Sequence, residues 1–286
     1  MVYLNGSIGY TFLSNGDKKI LVLADMHSTL PYCPKDGIFV SEWMKNKFKS
    51  KILLEEVPRE NFELKELWAS SPHTQKLKNL FINDKLNIIN GVDIRPFLLP
   101  YSWELSFDTK TKDMILKDYL KTLDLFYTLK LEYLSKNLKE IYTASFLYET
   151  TLGNHFLELK NKIKKYIMTN NDILKHNVKY IYNNDSTKLE EINNIISDIM
   201  EWYIIAQIFK GIKEKRNKFI IHAGLAHTTN IINLLKEKYN YKIIKEEGIT
   251  DMKQHNNLTN GCLLLSRDIE EQFGGFLYNR IKKNLL

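Results

Sequence analysis

The sequence predicts an α/β protein: a mostly parallel central sheet flanked by helices, with an N-terminal β-hairpin and a large helical insertion. Three observations predict it. Short apolar runs alternate with helically spaced stretches from residue 1 to about 100. The alternation returns in "NKFIIHAGLAHTTNIINLLKEKYNYKIIKEEG", which reads as strand, glycine turn, helix, strand. Between these parts, from Asp108 to about Lys215, the chain turns to long amphipathic stretches without a strand pattern. One α/β domain over residues 1–286 is expected, with the helical insertion at 108–215.

In chain order, "VYLNGSIGYTFL" and "KKILVLA" flank Ser14-Asn15-Gly16-Asp17, and Asn-Gly favours a type I′ hairpin turn. "IFVSEWMKNKFKS" has helical spacing and leads into the strand "KILLEEV", so strand, helix and strand imply a parallel crossover. "ENFELKELWASS" and "HTQKLKNLFIND" are helical, and "KLNIINGVDIRP" is a third buried strand, ended by Pro96 and Pro100. Three helices follow: "TKDMILKDYLKTLDLFYTLKLEYLSKNLKEIY", "HFLELKNKIKKYIM" and "DSTKLEEINNIISDIMEWYIIAQIFKGIKEK". Asp185-Ser186 offers an N-cap to the last, with Glu190 and Glu191 where the helix dipole favours them. "GCLLLSRD" is a final strand candidate. There is no internal repeat or low-complexity segment.

Composition narrows the class. With 44% apolar residues the 286-residue chain can bury a core. The 41 basic against 34 acidic residues, net charge +7 and pI near 9.0, are interspersed along the chain. Weak attraction to polyanions follows, but no specific nucleic-acid partner, because nucleic-acid binders concentrate charge on one face. Heavy use of lysine, asparagine and isoleucine fits AT-rich codons, as in a viral or parasitic source. Cys33 and Cys262 lie far apart with no CxxC pattern, so no disulfide framework is expected and the default is an intracellular, cytoplasmic location, host cytoplasm if viral. The N-terminal stretch lacks the charged and apolar regions of a signal peptide, and no apolar run approaches the roughly 18 residues of a membrane span.

Four apolar strands carry chemically useful groups at their carboxyl ends: Asp25 and His27 after "ILVLA", Glu55 and Glu56 after "ILL", Asp93 and Arg95 after "IINGV", and His227 after "FIIHAG". In a parallel sheet such ends converge on one rim. Imidazole with carboxylate can hold a divalent metal or orient a general base, and arginine can pin a carbonyl, carboxylate or phosphate. Hydrolysis by activated water is the simplest reaction from this set. Glu55 and Glu56 must point opposite ways within a strand, so one faces the rim. Asp93 with Arg95 reads equally as a local ion pair, and His222, inside its strand, as a hydrogen-bonded core histidine.

"ADMH", "LLEE", "GVDIR" and "AGLAH", in this order and strand context, resemble the superfamily of TraB, Tiki, the haem-binding lipoprotein ChaN and the erythromycin esterases. Gly224-Leu225-Ala226-His227 fits its late G-x-x-H motif, and Ala24-Asp25-Met26-His27 fits the early one with alanine for glycine and aspartate for glutamate. The resemblance covers both α/β parts and omits the helical middle. It implies a hydrolase of an ester or amide, acting on a small molecule or peptide through a histidine-activated water or a divalent ion such as Mn, Co or Zn. His27, Glu55 and His227 would converge, with Asp25 as a further ligand or the partner fixing the His27 ring, and Glu56, Asp93 and Arg95 around them.

Two other readings use the same residues. Asp-x-His after a strand also opens the metallophosphoesterases, and Gly153-Asn154-His155 invites that comparison. However, no G-D follows at the expected distance and no G-H-x-H is present, so Gly153 is expected to break a helix before Asn154 and His155. The other reading is an inactive binding module that docks a protein partner through its helical insertion.

Overall fold

In the computed structural model the described residues are 1–26, 30–33, 36–58, 72–98, 113–130, 135–136, 139–140 and 146–273. They fall into two compact units, an α/β unit up to Val92 and from Glu214 on, and a helical unit from Asp93 to Lys213.

The fold is α/β with a mostly parallel six-stranded sheet flanked by helices. Its strands are β2 (Gly9–Asn15), β3 (Lys18–Asp25), β5 (Lys51–Pro58), β6 (Ile89–Asp93), β7 (Lys218–Gly224) and β8 (Lys242–Gly248), in the order β6-β5-β7-β3-β2-β8. β7 runs parallel to both β3 and β5, while β2 is antiparallel to β3 and β8. The continuous apolar runs of β3, β5 and β7 suit central strands covered on both faces. β8, at the edge, is partly or wholly exposed along its length and carries Lys242, Lys245, Glu246 and Glu247, charges that discourage edge-to-edge pairing. Between β3 and β5 lie β4 (Ile38–Phe39) and α1 (Val40–Met44), and β5 is followed by α2 (Pro72–Ile82). β7 leads directly into α9 (Leu225–Glu237).

The hairpin forms as expected, with Asn15 paired to Lys18. Its two-residue loop is Gly16-Asp17, one position later than the Asn-Gly reading. Gly16 alone has positive φ, +61°, as the first loop position of a type II′ turn requires. The long first strand is corrected. β1 (Val2–Asn5) leaves the main sheet at Gly6 and joins a three-stranded sheet, parallel to β4 and antiparallel to β9 (Cys262–Leu265). The break follows from Gly6, whose φ of +88° no regular strand contains.

The expectation that the cysteines stay apart is also corrected. β1 brings β4 and β9 to its two sides, and Cys33, in the loop before β4, bonds to Cys262, the first residue of β9, with Cα atoms 4.8 Å apart. Strand adjacency, invisible in the cysteine spacing, makes the pair.

In the helical unit, α3 (Arg95–Leu98), α4 (Leu116–Tyr119) and α5 (Lys121–Tyr127) precede α6 (Phe146–Thr169), α7 (Val178–Asn184) and α8 (Thr187–Lys213). The single helix expected from Thr111 to Tyr142 is broken after Tyr127: Leu129 takes φ +55° and Lys130 N–H returns to Leu125 O at 2.9 Å, a left-handed helix stop. α8 starts directly after Asp185-Ser186, as expected. Its stretch Ile199–Phe209 is buried all round, and Trp202 donates Nε1–H to Leu152 O of α6 at 3.0 Å. Gly153 does not break α6 but lies inside it, and His155 is buried. The helix expected over "ENFELKELWASS" lies wholly outside the described residues. Among the described residues no helix is long and apolar enough to cross a membrane.

Candidate functional site

Strand order decides which residues meet. β7 lies between β3 and β5, and its register sets Asp25 beside Gly224 and Leu54 beside His222. Asp25, the last residue of β3, and Glu55, inside β5 one residue past Leu54, thus lie on either side of the end of β7, with backbones about 10 Å apart from two interstrand spacings. This is the carboxyl rim, where open α/β sheets bind ligands. Beneath it Ile8, Ala24 and Leu225 form a small apolar cluster with Met26, Leu30, Ile249 and Leu258, which anchors the end of β3 and the start of α9.

Each carboxylate faces an imidazole. Glu55 is fully buried, accepts Gly224 N–H at 3.2 Å through Oε2, and lies with Oε1 3.8 Å from His227 Nε2. That separation exceeds a hydrogen bond and suits an ion pair or a single bridging water. His227 stands in the first turn of α9 and keeps 15% of its side chain exposed, so solvent can reach it. Asp25 is 2% exposed; Oδ1 accepts Met26 N–H at 2.7 Å and Oδ2 lies 2.8 Å from His73 Nε2. A buried carboxylate is stable only with such partners.

Of the other expected site residues, Asp93 and Arg95 pair with each other. Arg95 donates Nε–H to Oδ1 at 2.9 Å, its second guanidinium nitrogen to Oδ2 at 3.0 Å and its backbone N–H to Oδ1 at 3.0 Å, and Asp93 is fully buried. Of the two alternatives the ion pair is what the geometry shows. His222 donates Nε2–H to Gly6 O at 2.9 Å as a core histidine. His27 lies outside the described residues, as does the side chain of Glu56.

His73 was not anticipated. It is the second residue of α2 and reads in the sequence only as part of an amphipathic face, yet it is 6% exposed against Asp25. A signal existed in Gly6, since a glycine interrupting a strand pattern marks close approach. A Cβ at Gly6 would lie 2.7 Å from His73 Cβ. Gly6→Ala should therefore cost at least about 2 kcal/mol, strain at positive φ plus displacement of His73. Gly16→Ala has similar φ but open space and should cost about 1 kcal/mol. Denaturant melts compare them, and equal losses would mean that His73 does not pack on Gly6.

Asp25, Met26, Tyr32 and His73 border a recess of about 10 Å³, backed by Gly6 and Gly261, with room for roughly one water. A larger cleft of about 560 Å³ lies around the amino end of β6, between α1 and α2. Among its described lining residues there is no imidazole, and its Asp84 carboxylate is held by the N–H groups of Leu86 and Ile89. The paired imidazoles and carboxylates are at the rim.

The resemblance implies a divalent ion. Among the described residues no three His, Cys, Asp or Glu side chains come together as ligands; the rim presents two separate carboxylate–imidazole pairs. Comparison with known proteins finds no family model, no curated protein and no solved structure that matches the chain.

Proposed function

We propose that the chain is a hydrolase of the Tiki, TraB and erythromycin esterase type, cleaving an ester or amide bond with a histidine-activated water at the carboxyl rim. The observation that carries this reading is the pair of carboxylate–imidazole contacts, Glu55 with His227 and Asp25 with His73, flanking Gly224. His227, the more exposed imidazole, takes the proton from water, and Glu55 behind it stabilises the imidazolium that forms. The start of α9 favours negative charge developing on the substrate oxygen. His73, shielded from solvent, fixes the Asp25 carboxylate from behind and acts as a positioning residue on that side of the rim. The Cys33–Cys262 bridge supports an oxidising compartment, since such bonds persist there.

The test is turnover of an ester and amide panel by the folded protein and by His227→Ala. Loss of a general base lowers the rate by about a hundredfold or more, with circular dichroism unchanged. Unchanged turnover in the variant would sink the proposal. Metal analysis and chelation of the same samples separate a histidine-driven reaction, which survives, from a metal-dependent one.

A further inference from the structure

We infer that the Cys33–Cys262 disulfide positions the Asp25–His73 pair, so that reducing it loosens this side of the rim while the sheet stays closed. An unbroken line of contacts joins them. Gly261, next to Cys262, donates its N–H to Pro31 O at 2.9 Å and accepts Gly6 N–H at 3.1 Å. Gly6 in turn packs against His73, and His73 meets Asp25 at 2.8 Å. From the other cysteine, Tyr32 borders the same recess, and Cys33 N–H is held by Asn5 Oδ1 at 2.8 Å, one residue before Gly6.

The Cys262 side is also held by the four-residue ladder of β9 on β1, whereas among the described residues the Cys33 side has few other links. β4 pairs with β1 over two residues, and Asn5 adds one bond to Gly37 O at 3.1 Å. By contrast β3 and β7 are joined along seven residue pairs and packed on both faces. Cutting the staple therefore frees the wall of the recess formed by residues 31–33 before it disturbs the strands.

The step is an ordinary thiol–disulfide exchange. A dithiol attacks one sulfur as thiolate, its second thiol resolves the mixed disulfide, and two electrons and two protons end on Cys33 and Cys262 while the reagent becomes a disulfide.

The experiment is peptide-resolved labelling of the full chain by diethyl pyrocarbonate, which acylates accessible imidazoles. It compares oxidised protein, protein reduced with dithiothreitol and desalted, and the double variant Cys33→Ser/Cys262→Ser. His73 should label about tenfold faster or more in the last two samples, while His222, fully buried inside β7, stays protected in all three. His73 protected in every sample would overturn the inference. So would His73 and His222 becoming reactive together, because the bridge would then hold the fold and not the site. The consequence for activity rests on reading the rim as the working site; the labelling needs no turnover, so the two can fail separately.

Discussion

The double variant Cys33→Ser/Cys262→Ser is expected to lose about 5 kcal/mol of stability in its α/β unit, and its thermal midpoint to fall by more than about 10 °C. The bridge closes a loop of 229 residues. In the chain-entropy account, cross-linking so long a loop removes much of the freedom of the unfolded chain, and the benefit grows with the logarithm of loop length. Half-buried Cys33 and Cys262 leave no large cavity on replacement by serine, so the loss is read against the unfolded state. Thermal melts of oxidised wild type and of the variant measure it. Melting points within a degree or two of each other would show that the two sulfurs are not joined in the folded protein.

The second large effect concerns Lys47, 1% exposed, with Nζ 4.2 Å from the centre of the Trp43 ring. Burial pulls its pKa from 10.5 down to about 8, with nearby Glu270 opposing the shift. Between these values the unfolded chain binds more protons than the folded one, so stability rises with pH from about 8 to 10.5 and is lowest below 8. The depression corresponds to about 3 kcal/mol at pH 7, and attraction to the indole ring reduces the net cost to about 2 kcal/mol. Lys47→Met keeps the stem and removes the charge. It should stabilise the protein by about 2 kcal/mol at pH 7 and flatten the difference in urea melts above pH 8. A variant less stable than wild type at pH 7 would show that the ammonium is well satisfied where it lies.

The strands β3, β5, β6 and β7 were legible because buried parallel strands are nearly continuous apolar runs, and their polar ends stand out against them. What remained hidden depends on contacts between distant segments. Nothing near His73 in the chain announces Asp25, and nothing near Cys33 announces Cys262; both pairs exist because β1 parts from β2 at Gly6. The break at Leu129 was hidden for a different reason. Leucine is a good helix former, and only the surrounding packing holds it at positive φ. Gly153 misled in the opposite sense, since packing of α6 outweighs the roughly 1 kcal/mol that an interior glycine costs.

The placement of β7 between β3 and β5 also governs when the sheet can form. During synthesis β3 and β5 emerge long before residue 218, and the strand that must separate them is then still unmade. Two apolar strands with open edges must be kept from pairing with each other or with neighbouring chains until β7 arrives. Assembly of the centre waits on contacts spanning nearly two hundred residues, which makes it slow. Gly224 and His227 come with that strand, so a nascent chain carries both carboxylates of the rim before the imidazole that faces Glu55 has been made.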